Sequence, residues 1–126
     1  MEAKKLALLC RKCAEDKKAD NTVVLDMRKL STVADFFVVV SATSEPHMRA
    51  IAEEIAGRVE TETGERPRAV DGTLRASWMV IDYSDVLIHI MRADARTHYD
   101  LEGLWGDAPR VKGRKAPGVK TAQKVN

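Results

Sequence analysis

The sequence is poor in aromatic residues, poor in cysteine and free of long apolar runs. No hydrophobic stretch approaches the ~18–20 residues needed to cross a bilayer, which excludes a membrane-spanning helix. The segment Met1-Glu2-Ala3-Lys4-Lys5 leads into only a short apolar patch without a small-residue cleavage site. A secretory signal is therefore not expected, and a cytoplasmic protein is. The two cysteines, Cys10 and Cys13, are spaced C-x-x-C, and no second Cys/His pair stands at a spacing that would complete a four-ligand zinc site. His47, His89 and His98 are scattered singly. There is no Gly-x-Ser-x-Gly elbow, no G-x-x-x-x-G-K-S/T loop and no G-x-G-x-x-G turn, so the common nucleophile and phosphate-loop signatures are missing. No internal repeat is visible.

What is present is an ordinary globular balance, 44% hydrophobic and 32% charged over 126 residues, enough for one domain and too short for two. The formal net charge of +2 is unevenly placed. Residues 106–126 hold six Lys/Arg against one acid, whereas residues 1–105 hold fifteen bases against eighteen acids. The expected organisation is a mildly acidic α/β domain over 1–105 and a basic, disordered tail over 106–126, where Pro109, Gly113, Pro117 and Gly118 break any periodicity.

Residues 3–16 read as an amphipathic helix with Leu6, Leu9, Cys10 and Cys13 on one stripe. The two thiols are then better read as small core residues than as a redox pair, because a thioredoxin-like motif would open a helix after a strand. Thr22–Met27 reads as a strand, and Ala34–Ala42 as a central strand covered on both sides. Ser44 and Pro46 start a helix whose apolar positions Met48, Ile51, Ala52, Ile55 and Val59 repeat with helical spacing until Gly64. Arg66–Val70 is a weak edge strand, and Asp71-Gly72-Thr73 a turn. Ser77–Tyr83 and Val86–Met91 form a hairpin around Ser84-Asp85, and Asp94–Trp105 contains a short helix. The fold class expected is α/β, a mixed β-sheet with helices packed on its faces.

Candidate chemistry is sparse. Asp26, Asp35, Asp82 and Asp85 lie at or near strand ends, where converging carboxylates can hold Mg²⁺, but no Asp-x-Asp pair exists on a strand and turn chemistry accounts for their positions. Ser41–Ser44 sits where a strand meets a helix, a place that can hold an anion, and helix capping is the plainer reading. His89, alone in an apolar strand, suits a hydrogen-bonded structural or interface histidine better than a general base. Of the six aromatics, Phe36 and Phe37 suit the core, whereas Trp78, Tyr83, Tyr99 and Trp105 cluster in the last third of the domain. Large rigid rings with a polar handle are enriched in binding hot spots.

The run Ala34–Ser44, then Ala50-Ile51-Ala52, then Trp78–His89, then Arg96-Thr97-His98-Tyr99-Asp100-Leu101-Glu102-Gly103-Leu104-Trp105 resembles the ribosomal silencing factor family, also called Iojap-related, across nearly all of residues 3–108. The resemblance implies a nucleotidyltransferase-like sheet without that activity, and no cofactor or metal. It also implies a factor that binds the large ribosomal subunit through ribosomal protein uL14, blocks subunit association sterically and represses translation when nutrients are short. Free members are often homodimers. Trp78, Met79, Asp82, Tyr83, Asp85, Tyr99, Asp100 and Trp105 are the partner-binding candidates on this reading, with the acids suited to a basic partner. The family pattern usually has glycine at the positions of Ala42 and Ser84, glutamine at that of His47 and tyrosine at that of Phe37. Serine at 84 leads to the expectation that the hairpin turn need not take a positive φ. The readings set beside this one are a metal-dependent nucleotidyltransferase using Asp26, Asp35 or Asp82, and RNA binding through the basic tail.

Overall fold

The computed structural model describes residues 2–73, 77–99, 103, 106 and 108–111. The first helix, α1 (Ala3–Asp16), buries Leu6, Ala7, Cys10, Cys13 and Ala14, so the thiols do lie on its core stripe. A polar turn leads into β1 (Asp20–Asp26), which is irregular between Asp20 and Val23, with Asn21 at φ 49°. β2 (Phe36–Ala42) is buried along its whole length.

The helix after it, α2 (Glu45–Thr63), starts as its sequence predicts. Ser44 Oγ accepts the His47 backbone N–H at 3.2 Å, Pro46 sits in the first turn, and Gly64 ends the helix at φ 80°. His47 does more than sit in that turn. Its Nδ1 accepts the Thr43 backbone N–H at 2.9 Å, which leaves Nε2 to donate to the Lys17 carbonyl at 2.7 Å. One side chain thus ties the start of α2 to the end of α1.

Three strands and a short helix complete the described chain: β3 (Ala69–Thr73), β4 (Trp78–Asp82), β5 (Val86–Arg92) and α3 (Ala93–Tyr99). The strands form one mixed sheet in the order β1-β2-β5-β4-β3, with β2 and β5 parallel and every other pair antiparallel. The turn expected at 71–73 is instead strand. Gly72 takes φ 89°, which a residue without Cβ does at little cost, and the ladder to β4 runs on through Thr73–Trp78.

The helices fall unevenly on the sheet: α3 packs on β2 and β5, its buried Arg96 donating at 2.9 Å to Ser41 Oγ, which lies on the same face as Phe37 and Val39. α1 and α2 both cover one face, over Val24, Phe36, Val38, Val40, Ile81, Ile88 and Ile90. The other face carries a smaller cluster of Leu25, Phe37, Val39 and Met91, closed by Met27 and Ala34 from the β1–β2 connection and by Ala108. Beyond Ala108 the chain pairs with β1. The Asp26 N–H donates to the Pro109 carbonyl and the Val111 N–H to the Val24 carbonyl, both at 2.8 Å. The boundary expected after residue 105 therefore lies further on, because residues 108–111 line the outer edge of β1. The rest of the basic segment, residues 112–126, lies outside the described residues.

Candidate functional site

The β4–β5 hairpin positions most of the candidate residues. Side chains on a strand alternate between faces, so Trp78, Val80 and Asp82 share one face while Met79 and Ile81 share the other. The core clusters assign the faces: Ile81 and Met79 pack with α1 and α2, and Trp78 packs with Phe37 and Met91 on the face that those helices leave free. Trp78 and Asp82 thus share a face but stand at opposite ends of the strand, about 13 Å apart, and Met79 points the opposite way.

Tyr83 also departs from the expectation. It is 6% exposed and belongs to the core cluster under α1, where burial pushes its phenol well above the usual range. Its hydroxyl is buried without a hydrogen-bond partner among the described residues. A ring sealed there offers no surface to a partner, so Tyr83 is a core residue. Asp85 is exposed in the turn, and its backbone carbonyl accepts from the N–H groups of Asp35 and Phe36 at 2.8 and 3.1 Å, tying the hairpin tip to the start of β2. Asp100 and Trp105, and the side chain of Tyr99, lie outside the described residues.

The turn itself differs from the expectation for a serine. Ser84 takes φ 74°, with the Asp85 N–H on the Tyr83 carbonyl at 2.9 Å, the γ-turn of positive φ that is rare and strained. The Asp82 carboxylate supports it by accepting the Ser84 N–H at 2.6 Å.

Two contacts at this site were not visible in the sequence. The first is Arg68, just before β3, whose guanidinium donates to Asp82 Oδ2 at 2.7 Å and holds that carboxyl below its ordinary value. The Asp82 side chain is 13% exposed and that of Arg68 is 68% exposed, so the pair presents mostly its cation to solvent. The second is between Trp78 and His89. The indole Nε1–H donates to His89 Nδ1 at 3.1 Å, and the Phe37 ring lies 4.8 Å from the imidazole. Val80 is the direct cross-strand neighbour of His89, which makes Trp78 a diagonal one, a relation that needs the register to be known.

The carboxylates weighed as metal ligands do not gather. Asp26 is on β1, gripped by Arg28 at 2.6 and 2.9 Å, and Asp82 is on β4 with Arg68, three strand positions away. Among the described residues no group of three or more His, Cys, Asp or Glu converges as a metal site would need. At the β2–α2 junction the hydroxyls are engaged internally, Ser41 Oγ by the buried Arg96 at 2.9 Å and Ser44 Oγ by the helix start, as the capping reading expects. No helix among the described residues is long and apolar enough to cross a membrane.

Comparison with known proteins gives a consistent result. Residues 1–126 match the family described as ribosomal silencing factor during starvation. A ribosomal silencing factor of Halalkalibacterium halodurans is 39% identical over 112 residues, covering 89% of this chain and 95% of that protein. One of Bacillus subtilis is 36% identical over 109 residues, covering 86% and 92%. A chloroplastic Iojap protein of Arabidopsis thaliana is 30% identical over 88% of this chain and 46% of its own length. Among solved structures, a Chromobacterium violaceum protein superposes with TM-score 0.78 at 26% identity, covering 98% of both chains. A Bacillus halodurans protein superposes with TM-score 0.73 at 35% identity, covering 87% of this chain and 99% of that one. With the family match running the full length of the chain and a silencing factor 39% identical over most of it, the chain belongs to the ribosomal silencing factor family.

Proposed function

We propose that this protein docks on the large ribosomal subunit through ribosomal protein uL14, and represses translation by occupying space that the small subunit needs. The observation that carries the reading is the placement of Trp78, half-buried on the sheet face that α1 and α2 leave free, with Asp82 on the same face of the same strand. An aromatic anchor, with the exposed carboxylate of Asp85 at the hairpin tip, suits a basic partner, and docking of this kind buries ~800 Å² on each side. Excluded volume then does the work, with no bond made or broken. Asp85 at the exposed turn, and Tyr99, Asp100 and Trp105 after β5, extend the proposed contact; Met79, on the helix-covered face, is outside it.

On this reading the sheet is related to that of nucleotidyltransferases without their activity. The protein acts in the cytoplasm, is a homodimer when free, and its basic segment adds weak contact to ribosomal RNA. The test is sedimentation of the protein with purified subunits on a sucrose gradient. Wild type migrates with the large subunit and reduces the joined particle, whereas a Trp78→Ala variant that still folds loses at least ~2 kcal/mol of binding. Failure of wild type to migrate with the large subunit refutes the proposal. Binding that survives Trp78→Ala but disappears when residues 112–126 are removed, and that falls steeply with salt, favours the RNA reading instead.

A further inference from the structure

His89 is an expensive choice for its site. It is 7% exposed, lies on β5 between Val39 of β2 and Val80 of β4, and packs against the rings of Phe37 at 4.8 Å and Trp78 at 5.9 Å. Because Nδ1 accepts the Trp78 N–H, the neutral ring must carry its own proton on Nε2. That Nε2 is buried and has no hydrogen-bond partner among the described residues. A buried donor without a partner is destabilising, and on burial alone a leucine or valine would suit this central strand better. The imidazole supplies one thing that those side chains lack, an acceptor aimed at the indole from below.

We infer that His89 is the positioning residue of the docking face, fixing the orientation of the Trp78 indole through Nδ1 so that the ring is set before a partner arrives. The inference rests on the docking reading above for its partner, while the contact itself is internal to this chain. Without the acceptor, the indole N–H has to find another partner or turn toward water. The ring then occupies several orientations, and binding bears the entropy of choosing one. Restraining a hot-spot aromatic before contact is a gain made in the free protein.

Three forms of the full chain separate this role from simple packing: wild type, His89→Leu, which removes the acceptor and the orphan donor together, and His89→Gln, whose amide oxygen can accept the same bond. Two readouts are used. The first is the indole N–H resonance of Trp78 in ¹⁵N-labelled protein, assigned with Trp78→Phe. The second is affinity for purified large subunits. In His89→Leu the indole resonance shifts upfield and its proton exchanges faster with solvent, the melting temperature at neutral pH stays within a few degrees, and affinity drops about fivefold, the scale of one net hydrogen bond. His89→Gln restores the resonance and most of the affinity. A purely structural role predicts that affinity follows melting temperature instead, and that outcome overturns the inference. So does an indole resonance unchanged in His89→Leu, or unchanged affinity once the resonance has moved. If wild type itself does not bind large subunits, the docking reading fails, and the resonance still decides whether His89 holds the indole.

Discussion

Lowering the pH should expose the cost of keeping His89 neutral. Burial among Phe37, Val39 and Trp78 lowers its pKa from 6.5 to about 4. The unfolded chain takes up a proton below 6.5 that the folded chain refuses until about 4, so stability falls as the pH drops through that window and levels off below it. Between pH 7 and pH 5 this one group removes about 2 kcal/mol, a drop of several degrees in melting temperature for a domain of this size. The assay is urea unfolding followed by circular dichroism at both pH values, for wild type and for His89→Leu. Other ionisable groups titrate in both proteins, so the difference between their pH dependences isolates His89. A leucine at 89 should flatten the profile by about 2 kcal/mol over this range. Equal slopes for the two proteins would refute the argument that the imidazole is buried and neutral.

Three other perturbations follow from the fold. Ser84→Gly relieves a side chain held at φ 74° and should raise stability by about 1 kcal/mol in thermal unfolding, an effect set against the greater freedom of glycine in the unfolded chain. Gly72→Ala should do the opposite, because a Cβ there meets the Trp78 carbonyl oxygen and φ is 89°; a loss of at least ~2 kcal/mol is expected, with a change in tryptophan emission. Cys10 and Cys13 are fully buried, and burial lifts the Cys13 thiol to about 11 and the Cys10 thiol further. Both should resist a thiol reagent at neutral pH in the native protein and react promptly in denaturant, and rapid native labelling of either would contradict their place in the core.

Much of this architecture could be read from periodicity. The stripe of α1, the capped start and glycine end of α2, the buried run of β2 and the β4–β5 hairpin all stand where their residue patterns put them. Local pattern carries no information about which face of a sheet the helices choose, and the candidate site suffered for that. Alternation alone separates Trp78 and Asp82 from Met79 and Tyr83, yet only the packing of α1 and α2 reveals that the second pair faces inward. Ser84 illustrates a different limit. Residue type argued against a positive φ, and the closure of the hairpin by the Tyr83 N–H on the Val86 carbonyl overrode it. The arginine on Asp82 and the histidine behind Trp78 are partners 14 and 11 residues away in sequence, and they meet only once the strand register is set.

The strip formed by Ala108–Val111 fixes where the charged terminal stretch departs from the body. It leaves from beside β1, whereas Trp78 stands on β4, three strand spacings or about 14 Å across the sheet. Shortening the chain by four residues too many would strip the guard from β1, baring main-chain amides that invite another strand, and the resulting stickiness would pass for a lost electrostatic grip.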